Sequence, residues 1–245
     1  MNSNRPPGRL LTRAFFDLPP ERVAPLLLGK ILVRRTEKGE LLAGRIVEVE
    51  AYLGPHDKTP DPAAHSYRGE TARNSVLFGP PGHAYVYFIY GSYYCMNFSC
   101  EGPGRGGGIL LRALEPVTGI EQMARNRGLK IGAAPCELTS GPGRLCQALS
   151  ITRAACNGLD LLDPASPLQV RDDGFRLKQV LVTRRIGISH AADLPLRFAV
   201  PANACVSGPK SLTGKCIFLR VKSVHGTKPL QSQDRTKAPG KDSRT

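Results

Sequence analysis

Hydrophobic and polar positions along the chain change their period several times, and each change predicts an element. In "LPPERVAPLLLGK", residues 18–30, apolar residues recur at helical spacing behind Pro20 and stop at Gly29, which predicts a short helix. "ILVRRTEKGELLAGRIVEVEAYL" follows, and predicts two strands joined by a turn at Glu37 to Glu40. Residues 84–99 and 108–114 predict further strands, while "GIEQMARNRGLK" and "GPGRLCQALSI" predict helices. The strands follow one another too closely for the crossovers that parallel pairing requires. The pattern therefore predicts an α+β fold, a single mixed domain over residues 1–209 with a curved antiparallel sheet flanked by helices and a protruding β-hairpin. Apolar periodicity ends near Lys222. Residues 210–245 carry nine Lys/Arg against two Asp/Glu, half of the chain's excess of positive charge. That basic tail is expected to be disordered and to add salt-sensitive affinity for nucleic acid.

The hairpin is predicted within "AYVYFIYGSYYCMN", residues 84–97, which holds five of the seven tyrosines. A two-residue turn at Gly91-Ser92 pairs Tyr90 with Tyr93 and leaves the Tyr90 ring at the tip, where its own hairpin cannot bury it. Such a ring suits a wedge driven into a base stack. Tyr85 and Tyr94 read as core tyrosines. In "VEVEAY" alternation puts Val47, Val49 and Ala51 on one face and Glu48, Glu50 and Tyr52 on the other, an open face. The same pattern would also serve only to keep a one-sided sheet soluble. "AAHS" adds His65 nearby.

Charge narrows the partner. A net charge of +14 with an isoelectric point near 9.8 points to polyanions, foremost nucleic acid. No apolar run approaches the roughly 18 residues of a spanning helix, no basic amphipathic helix stands out, and the first residues lack the apolar stretch of a secretion signal. An intracellular protein is expected, located with the DNA: cytoplasm or nucleoid in a bacterium, nucleus in a eukaryote. Seven scattered cysteines without a C-x-x-C pair read as reduced thiols, and no metal site is expected. "GPGRGGG" precedes a strand and reads as a loop, not a phosphate cradle. "SGPGRL" opens a helix where Arg144 could hold a phosphate, with no preceding helix to complete a helix-hairpin-helix.

Taken together, "VEVEAYLGP", "AAHS", "PGHAYVYFIYGSYYCMN", "LLRALEP" and "SGPGRLCQAL" resemble the alkyladenine DNA glycosylase family, also called 3-methyladenine-DNA glycosylases, over roughly residues 10–209. The resemblance implies a single-domain, monofunctional, base-flipping enzyme that hydrolyses the N-glycosidic bond of damaged purines in double-stranded DNA. It implies no cofactor, no covalent enzyme intermediate and a monomer. On this basis Glu50 is the general base and Arg112 lies beside the water it activates. Tyr52, His65 and Tyr87 sandwich or hydrogen-bond the flipped base, Asn97 crowds the exocyclic amine of normal guanine, and Tyr90 intercalates. Glu48 is then a structural neighbour. Two points sit uneasily with the family pattern. "HDKTPDP" lengthens the link to "AAHS", and the two-residue turn places Tyr87 and Asn97 on opposite faces unless a bulge intervenes. A non-catalytic damage-recognition module and an RNA-binding β-domain remain open as alternatives.

Overall fold

The structure is a computed structural model; it describes residues 5–89 and 91–208 together with the backbone of 217–220. In chain order the elements are β1 Arg9–Leu10, α1 Arg13–Phe16, α2 Pro20–Leu27, β2 Ile31–Arg35, β3 Leu41–Tyr52, α3 Ser75–Phe78, β4 Ala84–Ile89 and β5 Tyr93–Cys100. Then come β6 Gly107–Thr118, α4 Ile120–Asn126, α5 Pro135–Thr139, α6 Pro142–Ala148, α7 Arg153–Cys156, β7 Leu168–Asp172, β8 Gln179–Thr183, β9 Arg197–Ala199 and β10 Ile217–Arg220. The fold is mixed α+β, as the hydrophobic pattern predicts. All strand pairs are antiparallel, in the order β1-β7-β2-β3-β6-β5-β4, and β9, β8 and β10 continue from the second half of β3. The predicted basic tail lies outside the described residues except for the backbone of β10. Among the described residues, no helix is long and apolar enough to cross a membrane.

Helix α2 forms where Pro20 occupies its first turn, and its apolar residues Val23, Ala24 and Leu27 are fully buried. With Phe16, Ile46, Val49, Met96, Phe98 and Leu111 they make the main core between the sheet and its helices. A short helix, α5, precedes α6, contrary to the expectation that "SGPGRL" follows no helix.

Two local irregularities aim side chains. The β3–β6 ladder pairs Ile46 with Leu114, Glu48 with Ala113 and Val49 with Leu111, so Val47 and Arg112 are skipped. Ile46 and Val49 consequently both enter the main core. Val47 instead packs with Ala113 and Cys205, which corrects the expectation that Val47 and Val49 share a face. The hairpin register is also corrected. Tyr93 pairs with Ile89, one residue off the register that a two-residue turn sets. Gly91 takes the positive φ of +66° that a tight hairpin turn favours. Moving the register by one residue turns one strand over relative to the other. Asn97 now faces Tyr85 and Cys95 faces Tyr87, so Tyr87 and Asn97 share a face without any bulge in the second strand. Val86 and Met96 on the opposite face join the main core, with Tyr94 packed partly buried against it.

Candidate active site

The tyrosine face of the hairpin, the loop 63–66, the start of β6 and the segment 186–188 enclose a cavity of about 360 Å³. Tyr52, His65, Tyr87, Asn97 and Arg112, all predicted as site residues, line it. Tyr90, the predicted wedge, lies outside the described residues. The walls are aromatic. Tyr85 and Tyr87 stack at 5.4 Å, and the His65 ring meets Tyr87 edge-on at 4.5 Å. The His65 Nδ1 lies 3.1 Å from the Tyr85 hydroxyl. Tyr85 is a buried core tyrosine, as its sequence position predicts, and it lines the cavity as well, with its hydroxyl on His65 and not in solvent. Burial, and after it the charge of Arg73, holds the His65 imidazole below its ordinary pKa, which favours the neutral ring. Gly106 and Gly108 let the chain pass close by: a Cβ on Gly106 would come within 2.8 Å of the Phe78 ring. The amide of Asn97 makes no side-chain hydrogen bond among the described residues, although Asn97 is almost fully buried.

Glu50 sits directly behind the cavity wall and is fully buried. Its Oε2 accepts from the Tyr52 hydroxyl at 2.9 Å and pairs with Arg112 Nη1 at 3.2 Å; its Oε1 accepts from the Ile186 backbone N–H at 2.8 Å. Burial raises the Glu50 carboxyl above its ordinary pKa, and Arg112, the Ile186 amide and the Tyr52 hydroxyl offset that only in part. Burial likewise raises the hydroxyls of Tyr52 and Tyr87, so both rings are neutral.

The face expected to be open is therefore closed. Strand β9 pairs edge to edge with β3, its Arg197 side chain and the chain at Ile186 and Ser207 contact the two carboxylates, and Glu48 as well as Glu50 is fully buried. Glu48 Oε1 accepts from Arg112 Nε at 3.0 Å, Arg197 Nε at 2.7 Å and the Ser207 hydroxyl at 3.0 Å, while its Oε2 accepts from the Ser207 N–H at 2.6 Å. Arg112 bridges the two carboxylates from the point where the ladder skips it.

"HDKTPDP" has a definite task. Asp61, fully buried, makes a two-pronged ion pair with Arg185 and accepts the backbone N–H groups of Leu53 and Ala63. The pair ties the loop that carries His65 to the segment that carries Ile186. Arg185 also lies 4.6 Å from the centre of the Tyr52 ring. Asp61, Arg185, Ile186 and Ser207 escaped the sequence reading because they stand in irregular chain without a hydrophobic period, and Arg197 because its strand, β9, is only three residues long. Their one available signal was chemical: two carboxylates side by side on a strand call for cationic partners elsewhere.

An aromatic cavity with the buried carboxylate of Glu50 behind its wall, on an antiparallel α+β scaffold, is shaped for a planar ring. Residues 14–204 match the methylpurine-DNA glycosylase family, and the chain belongs to that family and is a DNA glycosylase. It is 55% identical over 205 residues to a Koribacter versatilis protein carrying the name "Putative 3-methyladenine DNA glycosylase", with 82% of this chain and 95% of that one covered. Proteins of the same name from Burkholderia lata (48% identical; 83% of this chain and 93% of the other) and Methanoculleus marisnigri (49%; 80% and 98%) are similar over nearly the same span.

Proposed function

We propose that the chain draws an alkylated purine nucleotide out of duplex DNA into the aromatic cavity and hydrolyses its N-glycosidic bond, the first step of base excision repair. The observation that carries this reading is the placement of Glu50, a buried carboxylate in contact with two cavity-lining groups, Tyr52 and Arg112. Extrusion costs a few kcal/mol, less where damage has already weakened the pair. Tyr52 on one side and Tyr87 with His65 on the other hold the base, and stacking of a cationic purine on such rings is worth about 0.5–2 kcal/mol. Glu50, raised by burial, takes a proton from a water held near Arg112. The water oxygen bonds to C1′ as the C1′–N bond breaks, and the bonding pair leaves with the base. An alkylated purine, cationic in the nucleotide, leaves neutral and needs no acid. A deaminated purine is neutral and leaves as an anion unless protonated; the cavity lining holds no carboxyl group, so such lesions are released more slowly. Glu48 is no second catalyst, because four donor contacts already occupy it. The free amide of Asn97 is suited to crowd guanine's exocyclic amine. Tyr90, by its match to the family pattern, is the candidate wedge.

The test is incubation with duplexes bearing an alkylated purine, a deaminated purine or no lesion, scored for abasic sites. Abasic sites are expected to form fastest at alkylated purines, more slowly at deaminated purines and least in undamaged duplex. Tight lesion binding with no abasic sites at all would return the chain to a non-catalytic recognition role.

A further inference from the structure

The walls of the cavity carry positive charge on their outer sides. Arg185 stands 4.6 Å from the ring centre of Tyr52, and Arg73 stands 5.9 Å from that of Tyr87. The two differ in availability. Arg185 is buried and neutralised by Asp61. Arg73 is solvent-exposed and forms no ion pair among the described residues. It lines a second cavity of about 360 Å³ that backs onto the first and shares Ala64, His65 and Tyr85 with it. No carboxylate lines this second cavity. The charge of Arg73 also acts on Tyr85 and His65, so its field reaches all three rings of that wall. Asn74 keeps the loop in shape: it accepts from the Thr71 N–H and hydroxyl and donates to the carbonyls of His65 and Gly69.

From this arrangement we infer that Arg73 speeds departure of the base electrostatically, acting through the Tyr87 wall, without touching the substrate. The inference rests on the proposed binding of the base between Tyr52 and Tyr87. Breaking the C1′–N bond sends the electron pair to the base, so the base becomes more negative by one unit charge whatever the lesion: a cation becomes neutral, a neutral purine becomes an anion. Meanwhile the sugar gains positive charge on the side of Glu50. A fixed cation behind the ring therefore interacts more favourably with the leaving base than with the bound one, which is the requirement for catalysis. For a cationic lesion the same charge weakens ground-state binding slightly, while stacking on the ring keeps the guanidinium and the base apart.

The test compares wild type, Arg73→Gln, Arg73→Lys and Glu50→Gln in single-turnover excision, at saturating enzyme, of a cationic alkylated purine and a neutral deaminated purine. Arg73→Gln is expected to slow both about 3–10-fold, the scale of one unit charge near a partly solvated site. Its affinity for the cationic-lesion duplex should be unchanged or tighter, and its melting temperature unchanged. Arg73→Lys keeps the charge and should stay within about twofold of wild type, with the Gln defect shrinking as salt rises. Three results overturn the inference while leaving the binding reading intact, provided Glu50→Gln is inactive. In the first, Arg73→Gln has wild-type rates. In the second, Arg73→Lys is as slow as Arg73→Gln, which makes shape and not charge the cause. In the third, Arg73→Gln binds undamaged duplex more weakly, with a salt slope shallower by about 0.9 and unchanged saturated rates, which makes Arg73 a phosphate contact. If Glu50→Gln still releases base, the reading of the cavity itself falls, and this inference with it.

Discussion

Glu48 and Glu50 stand two residues apart on β3, both fully buried, and share Arg112, yet their surroundings differ in kind. Around Glu48 the structure gathers two guanidinium groups and both the N–H and the hydroxyl of Ser207. Around Glu50 it places one shared guanidinium, one backbone N–H and one tyrosine hydroxyl that itself lines the cavity. Both oxygens of Glu48 accept from donors of the surrounding chain, among them Arg197 of the neighbouring strand β9. Burial of Glu50 is compensated less fully, its pKa rises, and its neighbours lead directly to the cavity. Identical side chains on one strand thus divide into a structural anchor and a candidate base according to how completely the fold compensates their burial.

Glu50→Gln should break the comparison most sharply. Base release is expected to fall about 10²–10⁴-fold, the usual worth of a general base, with lesion binding retained. The same variant should not lose stability. Because folding raises the Glu50 pKa, its contribution to stability is complete below the ordinary value of 4.5 and is lost as pH rises through the folded value. The melting temperature of Glu50→Gln relative to wild type should therefore climb between pH 4 and pH 7. Glu48→Gln should show the opposite signature. It leaves Arg197 buried without its carboxylate, and removal of one member of a buried ion pair costs about 3–5 kcal/mol. Thermal melting should drop by about 2–4 °C for each of those kcal/mol. A Glu48→Gln protein that melts like wild type but releases no base would place Glu48 in the chemistry and erase the distinction.

Tyr52→Phe is a smaller and more selective probe. It removes one of the contacts that favour ionised Glu50, so the acid limb of the pH–rate profile, already expected above pH 4.5, should move further up while the melting temperature barely changes. An unmoved limb would separate Glu50 from the rate. Ser207→Ala should have the least effect. It deletes a hydroxyl shared by Glu48 and Arg112, worth about 1 kcal/mol of stability, and leaves the Ser207 N–H contact in place. Denaturant melts should detect it with little change in excision.

By itself the sequence determined the elements with a strong period, namely α2, β3, the hairpin and β6, because alternation and helical spacing are local properties. It also determined the ordered motifs that place Glu50, Tyr52, His65, Tyr87, Asn97 and Arg112 in one family pattern. Tertiary structure decided what local pattern cannot express. The hairpin settled one residue off the register that a two-residue turn sets, which put Tyr87 and Asn97 on one face; both registers suit the same "YGS", and packing of Val86 and Met96 into the core selects between them. The face of Glu48 and Glu50 was closed by Arg197 and Ser207, some 150 residues away along the chain. Alternation says that two sides of a strand differ, but which one meets solvent depends on what the rest of the chain lays over it. Asp61 met Arg185 for the same reason: in irregular segments no period marks a residue as buried, and a charge becomes a buried partner only once the fold brings its counter-charge within reach.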